Sequence, residues 1–466
     1  MSLSPRRNRR QGIFAFVIEV GDREDTSARV GLPLIAETAC AYRLDEEARE
    51  RLGSPTRASD FGPDEKLQAL YTLIAAGGDR VEDIRILSED KGLQRLMGKP
   101  FPSPDALLDF LNEFHDEKCW ENRPPEKKAF VAPESDKLLA LGELNRSLVL
   151  RAADPQATVA TIDHDGTIIE SHKREALVAY EGTRGYQPLV AVWAEQQLVV
   201  ADEFRDGNVA GGEDPLSSTK RAFGNLPARV NERYFRGDSA SYNTELLKYL
   251  VNEKIGFAIS ADMSQSLRAR CTALSANAWI TMEKRDHEEV DLAEVEFEPG
   301  NWPKPAAPLR YVALRFTPRQ TEIFGERGPR YHAVVSNRRE LSASKLIEWH
   351  RGKAGTIEHV HRVIKDELGG GVLPSQRFGA NAAWFRINTI TFNLITALKR
   401  YALPERYRLA RPKRLRFEVF TLPGKLSFHE NQLAVKISAS AERAEEIISA
   451  RESLLQILQS NNESSV

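Results

Sequence analysis

At 466 residues the chain is too long for one compact core, and about two to four domains are expected. An apolar share of 41% with 28% charged residues is that of an ordinary globular protein, and no apolar run reaches the ~20 residues of a membrane span. A net charge of −2 neither requires nor excludes nucleic acid, because a local basic face matters more than the total.

The first 30 residues join a basic arm, PRRNRR at 5–10, to an apolar stretch, IFAFVIEV, that reads as a strand and not a signal peptide. The arm fits a solvated tail, which composition alone slightly favours, or a phosphate contact. Three scattered cysteines (Cys40, Cys119 and Cys271) form no ligand motif and indicate a reducing compartment, the cytoplasm. Residues 31–154 read as a helical N-terminal domain with a charged connector, suited to DNA binding or to dimerisation. One start signal is Ser103-Pro104-Asp105.

Asp154-Pro155 breaks the chain, and strands follow. ATVATIDHDGTIIES runs apolar into Ile162 and turns polar at Asp163 and Asp165. QPLVAVWAEQQLVVADEFR is a hairpin, and RYFRGD and GFAISAD are further strands separated by helices. With the helix at 345–371, this is the element order of a ribonuclease-H-like fold. The expected class is therefore α/β, with the core in two parts, 155–262 and 345–400. Between them 263–344 reads as a β-rich insertion: NAWITMEK, VDLAEVEFEP, RYVALRFTPR, TEIFGERG and RYHAVVSNR alternate as strands do. Residues 378–400 form a long apolar helix. The C-terminal region, 401–466, opens on a basic run; over 399–416 eight Lys/Arg face one acid. Arg411, Lys413, Arg414 and Arg416 make it either a solvated face or a phosphate-binding surface.

The chemistry rests on three acids. Asp165 ends the first strand, Asp238 ends RYFRGD, and Glu358 lies on KLIEWHRGKAGTIEHVHRVIKDELGGG. Carboxylates without histidine or cysteine are the ligand set of Mg²⁺. Like charges crowd together only where a cation offsets them. Asp163 rivals Asp165, since residues two apart on a strand share a face. Lys365 stands two helical turns beyond Glu358 on the same side, placed to meet a phosphate. His359 and His361 read as surface or supporting residues, and Trp279 and Trp302 as core, with base stacking the alternative.

DHDGTIIESHK with YEGTRGYQPL, YFRGDSASY, FAISADMS and HRGKAGTIEHVHRVIKDELGGGVLPSQRFGANAAW together resemble the DDE transposases of bacterial insertion sequences. The branch is the one whose third acid lies in a Tyr-Arg-Glu-Lys helix. The resemblance runs from about residue 31 to about residue 430. It implies a catalytic triad of Asp165, Asp238 and Glu358 that binds two Mg²⁺ ions, with Mn²⁺ as substitute, and Lys365 as the signature lysine. The signature tyrosine has no match at its usual spacing; Trp349 or His350 lies nearby, and Lys353 or Arg351 stands for the arginine. Those two cations, with Lys365, are then DNA-binding candidates. The implied partners are terminal inverted repeats, target DNA and a second copy of the chain, in a bacterial cytoplasm.

Two rivals use the same residues. Asp163-His164-Asp165-Gly166-Thr167 after an apolar strand is also the pattern of haloacid-dehalogenase-like phosphatases. That fold, however, expects parallel strands where 190–204 reads as a hairpin, and it leaves Glu358 without a task. A non-catalytic DNA-binding relative would bind DNA without nicking it.

Overall fold

A computed structural model describes residues 25–54, 61–124, 128–179, 181–300, 302, 308–319, 328–429 and 432–463. The basic arm and the IFAFVIEV strand lie outside the described residues, as does nearly all of TEIFGERG.

The expected mixture of strands and helices forms a mixed α/β protein around one nine-stranded sheet. Its strands in chain order are β1 Val159–Gly166, β2 Leu189–Trp193, β3 Leu198–Glu203, β4 Glu232–Gly237, β5 Gly256–Ala261, β6 Ile280–Lys284, β7 Glu288–Val295, β8 Arg310–Pro318 and β9 Arg330–Ser336. They lie side by side as β6-β7-β8-β9-β5-β4-β1-β2-β3. β1, β2 and β3 are antiparallel neighbours, so the hairpin read at 190–204 forms, as Leu189–Trp193 with Leu198–Glu203. β4 runs parallel to β1, and β5 parallel to β4. β2 and β3 are buried along their whole length, which is why they read as nearly unbroken apolar runs.

The stretch read as an insertion is not a body apart. β9 pairs with β5 through Ala333–Ser336, so β6 to β9 continue the same sheet. Alternation along each strand gave their type correctly but says nothing about which edge they join.

The helices that matter here are α1 Asp136–Ala152, α2 Pro215–Gly224, α3 Thr244–Asn252, α4 Ala343–Arg362, α5 Phe378–Tyr401 and α6 Ala441–Glu463. α5 is buried along almost its whole length and packs against α1, the Pro63–Ala76 helix and β3. Its polar residues survive there because they are paired. Arg386 bonds Asp202 and Glu134, and Asn393 bonds Asn145 and Val199 O. The N-terminal helices between Pro33 and Asn112 share this core with the sheet instead of closing one of their own. A hairpin, Gly424–His429 with Gln432–Ile437, was not legible in the C-terminal region; it pairs with Thr26–Ser27. No described helix is long and apolar enough to cross a membrane.

Candidate active site at the ends of β1 and β4

α4 begins at Ser342, whose hydroxyl accepts from Lys345 N at 3.3 Å. Its first half packs Leu346 and Ile347 on the β7–β9 face, in a small cluster with Val290, Leu292 and Val334. Its second half crosses β1. The α-helix gives way to a π-helical turn at Val363–Glu367, closed by Gly369 at φ +77°. A Cβ at Gly369 would meet Asp79 Cα at 2.8 Å, so both conformation and space require glycine.

The ladder between β1 and β4 sets Asp163 opposite Arg236 and His164 opposite Gly237. One step further along that register, Asp165 and Asp238 come side by side. The two aspartates of β1 thus share a face but not a fate. Asp163 is fully buried; Arg236 holds it with Nε at 2.6 Å and Nη2 at 2.8 Å, and the Thr356 hydroxyl donates to it as well. With its oxygens engaged by protein donors, Asp163 is no free ligand.

Asp165 is partly exposed. Lys353 Nζ lies 3.0 Å from its Oδ2, and its Oδ1 accepts from Gly166 N at 2.9 Å. Asp238 accepts from Ala240 N at 3.1 Å. Burial raises the Asp238 carboxyl above the usual range, Lys353 opposes that shift, and the neighbouring Asp165 adds to it. Beside the pair a recess of about 480 Å³ is lined by Asp238, Asp262, His350, Arg351 and Phe316. Asp262 is also raised, by burial and by repulsion from Asp238. His350 Nε2 sits 3.1 Å from Gly237 O, so that nitrogen carries the proton. Burial holds its pKa down to about 4.

Glu358 does not join the pair. It is exposed and makes no hydrogen bond or ion pair with the described residues. Among those residues no group of three His, Cys, Asp or Glu could hold a metal. The donor set at Asp165 and Asp238 nevertheless fits a hard divalent cation, since two adjacent carboxylates already hold a positive charge.

The family model for the DDE transposase domain, group 1, matches residues 20–459. The chain belongs to the DDE transposase family. No curated protein matches it. Among solved structures, a piggyBac transposase synaptic complex with hairpin DNA aligns at 11% identity and TM-score 0.39, over 95% of this chain and 83% of that one.

The remaining candidates of this transposase fall in different settings. Lys365 Nζ donates to Ile168 O at 2.6 Å and lies 3.4 Å from Thr167 Oγ1, at a cleft of about 610 Å³ that Gly166, Gln187 and Asp366 also line. Arg351 pairs with Glu283 at 3.2 Å. Arg411 pairs with Glu367, and Arg414 with Glu418 at 2.9 Å, while Lys413 is exposed. Arg416 is not part of a basic surface: it donates to Ala75 O at 2.9 Å, Ile74 O at 3.1 Å and Glu367 O, and burial lowers its pKa to about 10. Trp279 is covered by Arg315, 4.5 Å from its ring, and Trp302 is buried.

Arg236 and Thr356 escaped sequence reading. Once the parallel register is known, RGD against DHD puts Arg236 opposite the first aspartate and an acid opposite the second; nothing in the sequence pointed to Thr356.

Proposed function

We propose that the chain is a transposase acting on the terminal inverted repeats of a bacterial insertion sequence, cutting DNA and joining the freed end to a target. The single observation that supports this most is the apposition of Asp165 and Asp238 beneath a cation, at the ends of neighbouring parallel strands. Three antiparallel strands, two parallel ones and the helix after them support a ribonuclease-H-like core. Asp165 and Asp238 would hold Mg²⁺, or Mn²⁺ in its place, with Glu358 as third ligand. Such ions activate an attacking oxygen and stabilise a leaving one.

The chain's own residues do the positioning. Asp163, Arg236 and Thr356 fix α4 over β1; Lys365 and the exposed Lys413 face phosphates; a second copy completes the DNA complex. The phosphatase reading needs Asp163 as an accessible nucleophile, and its complete burial under Arg236 and Thr356 counts against that.

The test is cleavage of a duplex carrying an element end, with Mg²⁺. Asp165→Asn, Asp238→Asn and Glu358→Gln should each abolish cleavage while DNA binding persists. Wild-type rates in excess chelator, or rapid hydrolysis of a small phosphate ester, would overturn the reading.

A further inference from the structure

α4 brings a lysine, not the expected glutamate, to the two aspartates. Lys353 Nζ is 3.0 Å from Asp165 Oδ2, and its side chain is only 11% exposed. Among the described residues that carboxylate is the ammonium's one hydrogen-bond partner. The placement is built in at several points. Arg236 reaches across from β4 and donates through Nη1 to Trp349 O at 2.7 Å. Gly352 makes room for it, since a Cβ there would stand 2.6 Å from that Nη1. The Thr356 hydroxyl, bonded to Asp163, also lies 3.0 Å from Lys353 O. The helical turn that carries the lysine is therefore tied to β1 on both sides of it.

Glu358 lies five residues further along α4, about 140° around the helix axis. One helix cannot present both residues to the same carboxylates without turning. Two adjacent carboxylates without a cation repel each other, and an ammonium beside them relieves that repulsion when no metal is bound.

Resting on the proposed function, we propose that Lys353 is the resting counter-ion of Asp165 and Asp238, and that a divalent cation loads only by displacing its ammonium. Once displaced, the ammonium needs a new acceptor, and a DNA phosphate beside the metal seat is the chemical partner it fits. Metal loading and DNA binding then favour each other reciprocally, because each removes the lysine's hold or supplies its alternative. Without DNA, the ammonium competes with the metal for the seat.

The test uses the full chain without DNA and Mn²⁺ alone as probe, read by electron paramagnetic resonance of free Mn²⁺ and by thermal unfolding. Lys353→Met should bind Mn²⁺ about ten-fold tighter than wild type, whereas Lys353→Arg should stay close to wild type. The metal-free Tm of Lys353→Met should fall and then recover on adding Mn²⁺, a response that a merely structural lysine would not give. Equal or weaker Mn²⁺ binding by a folded Lys353→Met would overturn the inference. Adding Asp165→Asn to Lys353→Met separates the two levels. If that second change abolishes Mn²⁺ binding while Lys353→Met alone matches wild type, the aspartates are the metal seat and only the role given to the lysine fails. If Asp165→Asn leaves Mn²⁺ binding by Lys353→Met unchanged, the seat itself is wrong and both fall.

Discussion

Arg236 lies directly across the parallel ladder from Asp163 and grips it with two hydrogen bonds, at 2.6 and 2.8 Å. Two residues further on, the same pair of strands sets acid against acid. The first step of the ladder is a closed ion pair, and the second is left in need of a cation. Removing one partner of a buried pair strands the other charge, at a cost of about 3–5 kcal/mol. Asp163→Asn and Arg236→Met should therefore lower stability by that order in denaturant titrations. Asp165→Asn, at a partly exposed carboxylate, should cost far less. Equal stability losses at Asp163 and Asp165 would contradict this division of labour.

The basic run makes a similar division between residues that look alike in sequence. Arg416 satisfies three carbonyls under the surface, so Arg416→Ala should destabilise the fold by about 1–3 kcal/mol. Lys413 is exposed, and Lys413→Ala should leave stability within about 0.5 kcal/mol. If it contacts a phosphate, Lys413→Ala should reduce the salt slope of DNA binding by about one. An unchanged slope would assign this lysine to solvent.

These contrasts mark what one sequence could and could not show. Apolar runs and turn residues gave the strands of the sheet, the hairpin at 189–203, and α4 and α5. They could not give register, so the Asp163–Arg236 pairing stayed hidden although both residues stood in quoted motifs. Nor could they show that β9 would dock on β5, because edge choice depends on which strand is left unpaired after folding. A basic run likewise lists charges without their partners. Glu367 and backbone carbonyls take up Arg411 and Arg416 only once α4 and the C-terminal region have packed together. Periodicity placed Glu358 and Lys365 on one helical face, but how far that helix rotates against β1 is a tertiary matter. In the structure the rotation brings Lys353 to the aspartates.

Glu134 offers a pH test remote from the site. Burial pushes its carboxyl up, but Arg386 and Arg221 outweigh that and hold it down at about 2. Its folded pKa is thus below the ordinary 4.5, so the unfolded chain takes up this proton first as pH falls. The stability it contributes is present above pH 4.5 and is lost as pH drops toward about 2. Glu134→Gln should lower stability at neutral pH by about 3 kcal/mol and flatten the acid limb of the stability curve over that window. Asp202, on the other side of Arg386, is shifted upward by burial and should not mimic this effect. An acid limb as steep as wild type in Glu134→Gln would refute the assignment.

Lys365 sits where the chain leaves β1. Its ammonium donates to Ile168 O at 2.6 Å and reaches Thr167 Oγ1 at 3.4 Å, so it touches the residues that follow Asp165 while bordering an open cleft. An anchor for that loop and a contact for a DNA phosphate are both compatible with this position, and they predict different things. An anchor alone would shift Asp165 and slow the chemistry, yet leave the salt dependence of DNA binding untouched. A phosphate contact would also lower the salt slope, since one fewer counterion would be released. We expect both effects: Lys365→Ala should reduce cleavage and strand transfer together, on the order of 10²-fold, because displacement of reacting groups by about 1 Å has that cost. Lys365→Arg should keep part of the activity, as its guanidinium supplies the charge but not the compact geometry of an ammonium. Assays on uncut and pre-cut ends separate the two steps. Full activity of Lys365→Ala on both substrates would remove Lys365 from the site, and loss of cleavage alone would confine its role to the first cut.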